Sequence, residues 1–325
     1  MRLITFIFLI VSIFWGNVGE INAYTFTVLD YPGSQYTGLF DINNNGVIVG
    51  TYRDSSGNSH GLTYDTTNGF QTLDYAGASR TELIGINNNG VIVGTYIDSS
   101  GNSHGLIYDP NSGFQTLDYS QGDGTLLLGV NDSGLITGTY RDSSGNIHGL
   151  LYDTASGFQV LDYPGAFSTG LFGINNSGTI VGLYTDSSNN SHGLIYDATN
   201  GFQTLDYPGV NYTWLFDINN NGKIVGVYGN SGQNFHTGMT YDTINGIKSI
   251  SYAGAQYTWI YGINDNDQLV GLYLDSSSSN MHGLVVLPSA LPPNNSVPEP
   301  ATVIFLAVGI GFFSFMARRK CYSNK

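Results

Sequence analysis

Six histidines occur once each at near-constant spacing: His60, His104, His148, His192, His236 and His282. A set of regularly placed imidazoles invites a metal, but zinc needs several nitrogen or sulfur ligands at roughly 2 Å from one ion. Residues one repeat apart converge only on an axis of the assembly, and these begin a third strand that sits away from it. A repeated structural hydrogen bond is therefore the expected role. The loop before each histidine, Asp54-Ser55-Ser56-Gly57-Asn58-Ser59 in the first instance, is echoed at Asp98, Asp142, Asp186 and Asp275. Oxygen-bearing side chains at alternate positions suit calcium, which takes roughly six to eight oxygens. Each loop, however, offers a single carboxylate and no later bidentate Glu. The five aspartates are weak calcium candidates, the loops read first as hairpin turns, and no other metal or cofactor is expected.

The copies differ most in the segments that link one to the next: Ser34-Gln35-Tyr36-Thr37, Ser79-Arg80-Thr81-Glu82, Gln121-Gly122-Asp123-Gly124, Ala166-Phe167-Ser168-Thr169, Asn211-Tyr212-Thr213-Trp214 and Gln256-Tyr257-Thr258-Trp259. These segments read as crossing loops on one face, so Tyr36, Arg80, Phe167, Tyr212, Trp214, Tyr257 and Trp259 are expected around a channel mouth. Aromatic planes beside amides suit sugars, because rings cover the apolar sugar face while amides take hydroxyls. The competing role for any one ring is packing between repeats. Catalysis has little support. No nucleophile elbow, phosphate loop or paired-histidine metal motif is present, and Glu82 is the only Glu between Tyr24 and Leu287. An acid/base pair would need two aspartates, for example Asp123 with Asp41 or Asp217, facing each other about 5–10 Å apart as in glycosidases.

The element that must position these residues is a repeat. Leu-Asp-Tyr ends at Tyr31, Tyr75, Tyr119, Tyr163 and Tyr207, with a diverged Ile250-Ser251-Tyr252, at spacings of 44 residues four times and then 45. Each copy shows four strand signals, at Leu39–Asn43, Val47–Tyr52, His60–Asp65 and Phe70–Tyr75 in the first, rich in β-branched and aromatic residues and bounded by Asn, Asp and Gly. Asn43-Asn44-Asn45-Gly46 reads as a hairpin turn, since Asn and Gly accept positive φ cheaply. Four antiparallel strands in a unit of this size predict an all-β, six-bladed propeller over residues 24–288, with an open β-solenoid as the alternative. The last copy stops at Leu287 without a fourth strand, and Tyr24–Tyr31 is a spare one. Pairing the two would close the ring and remove its open edges.

The ends carry addresses. Residues 1–23 have a basic start, an apolar stretch and Ala23 before a change of composition, as in a secretory signal peptide for Sec export. A Pro/Asn linker (289–297) leads to Val297-Pro298-Glu299-Pro300, and then an uncharged segment from Ala301 to Ala317 is closed by Arg318-Arg319-Lys320 before the short tail 321–325. This reads as one spanning helix with its basic end on the cytoplasmic side. Between Tyr24 and Leu287 there are five basic and 22 acidic residues, a net of −17, which argues against nucleic acid as partner, and no cysteine that could form a disulfide.

The order of Pro298-Glu299-Pro300, apolar helix and Arg318-Arg319 resembles the PEP-CTERM sorting tail. That resemblance implies recognition and cleavage by an exosortase in a Gram-negative bacterium that builds exopolysaccharide, with membrane attachment until processing. The repeats resemble the HAF family of extracellular repeats in their Ile-Asn-Asn-Asn-Gly turn, the Val-Gly pair after it and a His-Gly-Leu strand. Two departures stand out: Gly replaces Ala after every histidine but one, and the fifth copy reads His236-Thr237-Gly238-Met239. Together these readings predict a non-catalytic protein of the cell surface or extracellular matrix. It would bind extracellular polysaccharide or a surface protein; a glycan-active enzyme and a calcium-stabilised structural protein are the alternatives.

Overall fold

The computed structural model describes residues 24–230, 236–278 and 280–289, and every regular element among them is a β-strand. The expected signal peptide, and the sorting motif, membrane helix and basic end, lie outside the described residues. Tyr24–Pro288 is one compact unit built as six four-stranded antiparallel blades. In the first blade the strands run Tyr36–Ile42, Ile48–Arg53, Ser59–Asp65 and Gly69–Thr72 from the axis outward, each paired with the one before. The sixth blade takes three strands from the end of the unit and Tyr24–Val28 from its start. That first strand pairs with Met281–Pro288, from Tyr24 opposite Pro288 to Val28 opposite Leu284. Asp30 completes the closure, accepting from His282 Nδ1 at 2.7 Å and from the Gly283 amide at 3.0 Å.

Strand boundaries differ from expectation at both ends of the repeat. The outer strand stops at Thr72, so Leu73-Asp74-Tyr75 is a junction and not a strand end. The Asp74 carboxylate takes the Gly61 amide at 2.9 Å and His60 Nδ1 at 2.7 Å, while the Tyr75 amide donates to Thr81 Oγ1 of the next blade at 3.1 Å. The same amide-to-threonine bond recurs in all six copies. Because that threonine is buried and held, the inner strand begins early. Tyr36, Arg80, Ser168, Tyr212 and Tyr257 thus belong to strands, not to crossing loops.

Two glycine positions are set by close approach. A Cβ on Gly50 would sit 2.0 Å from the Gly38 carbonyl oxygen, which explains the invariant Val-Gly and Thr-Gly pairs of the second strands. One on Gly61 would sit 2.4 Å from Leu73 O, so the alanine of the HAF pattern has no room here.

The Asn-Gly turns are hairpin turns, as read, with Gly46 at φ 78°, but their first asparagine does more. Asn43, Asn87, Asn131, Asn175, Asn219 and Asn264 are all buried. Each Nδ2 donates to the backbone carbonyl of its counterpart in the next blade, at 3.0–3.3 Å, and Asn264 returns to Asn43. Each Oδ1 meanwhile accepts two amides of its own turn, as Asn87 does from Asn89 and Val91. A second closed circuit runs beside the first through Asn44, Asn88, Asp132, Asn176, Asn220 and Asp265.

Five histidines form the repeated structural hydrogen bond expected of them. His60, His104, His148 and His192 are each held between two aspartates, one from the junction at 2.7 Å and one from the loop at 3.3–3.5 Å; His282 keeps the junction bond. The junction carboxylate raises His60, His104 and His148 above the ordinary imidazole pKa; at His192 burial opposes this and two carboxylates outweigh it. The loop aspartates move down, with Asp98, Asp142 and Asp186 at about 2, chiefly through the amide of the loop asparagine. A raised histidine pKa contributes stability below the unfolded value of about 6.5 that is lost as pH rises through the folded value. The lowered aspartates contribute above about 3.9 and lose this as pH falls towards 2. The melting temperature is therefore expected to be higher near pH 5.5 than near pH 8.5. Differential scanning fluorimetry should show that slope flatten when all four histidines are changed to glutamine.

Candidate functional site

The inner strands line the central channel. Alternation buries Thr37 and Leu39 between blades and turns Tyr36, Gly38 and Phe40 to the channel, and the other copies follow. The channel is not six-fold. At the level of Gly38 the circuit reads Gly38, Glu82, Leu126, Gly170, Trp214, Trp259; one level nearer the mouth it reads Tyr36, Arg80, Gly124, Ser168, Tyr212, Tyr257. Large rings thus gather on the fifth, sixth and first blades, and small residues stand on either side of the tryptophan pair.

The rings touch in a continuous array. Tyr212 lies 5.6 Å from Trp214, and Tyr257 lies 6.0 Å from Trp259 with planes 11° apart. Trp214 and Trp259 reach Phe216 and Tyr261 below them at 6.3 and 6.1 Å, and Tyr261 meets Phe40 at 5.4 Å. Trp214 Nε1 is shielded and has no protein hydrogen-bond partner. Across the channel Arg80 Nε donates to Glu82 Oε1 at 3.0 Å. Burial, then Glu82, pushes the Tyr36 phenol up to about 12, and burial does the same to Tyr212.

His236 departs from the structural role expected of all six histidines. It pairs with Gly229, and Thr237 with Tyr228, whereas His60 pairs with Tyr52. Thr237 therefore occupies the usual histidine position, and a one-residue offset turns His236 to the opposite face of its strand. Asn230 and Ser251 stand where the other copies carry the two aspartates. His236 instead plugs the seam between the fifth and sixth blades, hydrogen-bonded to the Tyr212 hydroxyl and 4.8 and 5.4 Å from the rings of Tyr257 and Trp259. Burial lowers its pKa.

Below the aromatic layer, a bulge in each inner strand re-aims one residue at the axis. In the first and fifth blades that residue is Asp41 and Asp217; in the others it is glycine. Asp41 accepts the amides of Ile42 and Ile86 at 2.7 and 2.8 Å, and Asp217 those of Ile218 and Ile263 at 2.8 and 2.9 Å. Burial, then the charge of Asp217, raises Asp41 well above the carboxylate range, and burial lifts Asp217 to about 6. Asp41 and Asp217 line a cavity of about 80 Å³ whose wall also includes the buried asparagines of the six turns.

Tyr36, Arg80, Tyr212, Trp214, Tyr257 and Trp259 thus line one channel, from strands. Phe167 does not join them. It stays on its connecting segment, 64% exposed. Asp123 is exposed on its own segment and does not meet Asp41 or Asp217. The loop aspartates spend their oxygens inside their loops. Asp54 Oδ1 accepts the Ser56 and Asn58 amides at 2.8 and 2.9 Å, and Oδ2 takes Asn58 Nδ2 at 3.0 Å. Asp275 is likewise turned onto Ser277. Among the described residues no group of three or more His, Cys, Asp or Glu is placed to hold a metal ion.

No curated protein matches the chain. The fold is shared with solved structures at low identity. These include AofleA from Arthrobotrys oligospora (10% identity, TM-score 0.51, 83% of this chain and 94% of that one). The SapL1 lectin in complex with alpha methyl fucoside matches at 13% identity and TM-score 0.52, over 80% and 98% of the two chains. TolB from Acinetobacter baumannii matches at 14% and 0.52, over 75% and 65%. Residues 296–320 match the family described as the PEP-CTERM protein-sorting motif. That tail is the kind on which exosortases act, and it marks the protein as exported and sorted to the surface of a Gram-negative cell.

Proposed function

We propose that the propeller is a non-catalytic carbohydrate-binding module, carried by the Sec pathway to the cell surface or matrix, with HAF-like repeats as its scaffold. The observation that carries this reading is the break in repeat symmetry. Blades that agree at Thr37-type and Asn43-type positions diverge where they face the channel, and there they place Tyr212, Trp214, Tyr257 and Trp259 beside Gly38 and Gly170. Rings flanked by small residues leave a sugar face something flat to cover. The fold shared with SapL1, a lectin solved with a methyl fucoside, is compatible with this use.

The test is retention of Tyr24–Pro288 on immobilised bacterial exopolysaccharides. The Trp214→Ala/Trp259→Ala variant is expected to lose about thirtyfold in affinity, about 2 kcal/mol, with its melting temperature little changed. Uniform non-retention of the unaltered propeller would instead move the function to protein assembly.

A further inference from the structure

We propose that the groove at the seam of the sixth and first blades is a second subsite of the same glycan site, one that takes a carboxylated sugar such as a hexuronate unit; this rests on the carbohydrate reading above. The groove encloses about 580 Å³. Tyr36 is its wall on the channel side, bridged in parallel to Met281 of the sixth blade, so one glycan chain can lie across both sites. Met281 replaces the serine found in the first, second and fourth copies and gives the groove an apolar floor. Gln35, Ser55, Ser56 and Asn280 ring it with hydroxyl and amide groups.

The residue that selects the ligand is Arg53. Of the five cations between Tyr24 and Leu287, Arg80 and Lys223 are spent in ion pairs with Glu82 and Asp267. Arg53 makes no ion pair among the described residues and lies 5.1 Å over the Tyr36 ring. The guanidinium rests on the ring and lines the groove, and a guanidinium free of an ion pair can meet a carboxylate with two parallel bonds. Arg141, its counterpart in the third blade, stands opposite Gly124 and has no ring to rest on. The neighbouring Asp54 does not compete, since its oxygens are held by Ser56, Asn58 and His60. The propeller's net charge of −17 repels polyanions at long range, so the selection is local. It should be read at physiological salt, where screening acts over about 8 Å.

Calorimetry of Tyr24–Pro288 with a galacturonate oligosaccharide and its methyl ester, equal in length and differing in charge, tests this. The free acid is expected to bind roughly tenfold more tightly than the ester, the scale of one charge-assisted pair. Arg53→Gln should bring the acid down to the level of the ester, and Arg53→Lys should keep part of the preference. Equal binding of acid and ester, or a preference that survives Arg53→Gln, would overturn the subsite and leave the carbohydrate reading standing. Binding of neither form, together with no retention on neutral glycans, would overturn both.

Discussion

A chain lacking Tyr24–Asp30 is expected to populate no monomeric propeller. The segment supplies the outer strand of the sixth blade, and its Tyr24 and Phe26 pack on the cluster of Ile250, Ile260, Leu269, Leu284 and Val286. Each aromatic contributes on the order of 2 kcal/mol by burial. The ladder and the Asp30–His282 pair add about 1 kcal/mol per bond. That sum is comparable to the whole net stability of a domain, about 5–15 kcal/mol. The loss also leaves Met281–Pro288 as an open edge, a template for association. Size-exclusion chromatography and near-ultraviolet circular dichroism should show aggregates or an unpacked chain. A peptide spanning 24–31 should restore the monomer, and an unchanged monomer without it would show that closure is dispensable.

Asn87 carries the second large effect. Asn87→Leu strips the Asn131 carbonyl of one of its two donors, leaving it the Gly134 amide, and leaves the Asn89 and Val91 amides without the Asn87 acceptor, a cost of about 3 kcal/mol. Asn87→Asp separates shape from charge. It keeps the acceptor for the two amides but sets a buried carboxylate against a carbonyl, so its pKa in the fold lies above the unfolded value of about 3.9. The variant should be nearly as stable as the parent below that pH. It should then lose stability as pH rises, reaching about 4 kcal/mol by neutrality. Urea denaturation at pH 3.5 and 7 reads both arms, and a pH-independent loss would mean that the circuit is not the source.

Blade count and closure were legible because the Leu-Asp-Tyr spacing and the unpaired strand at Tyr24 are one-dimensional facts. Strand ends were not. Leu73-Asp74-Tyr75 alternates like a strand, but Asp74 is taken by a histidine and an amide of the neighbouring strand, a competition that pattern does not reveal. Tyr36 and Tyr212 were read as loop because their neighbours are turn formers; the buried threonine beside each decides otherwise. Of the seven residues expected at the channel mouth, Phe167 alone stays on its connecting segment, which lacks the threonine immediately after the ring. Two features of the sequence mark what the strand pattern does not. His236 lacks both aspartates in its own copy, at Asn230 and Ser251. And the first asparagine of each turn never varies across the six copies, whereas the second and third become Asp or Ser.

That asparagine circuit also counts. All six amides donate in one rotational sense, and the last hands back to the first at 3.1 Å. Near-identical copies of 44 residues are prone to unequal recombination, which adds or removes whole units at the level of the gene. Each bond needs a donor from one copy and an acceptor from the next, so a product with a copy too few or too many must re-form the circle at another angle between blades. The circle joins the first and last copies a second time, at the axis, where the strand Tyr24–Val28 joins them at the rim.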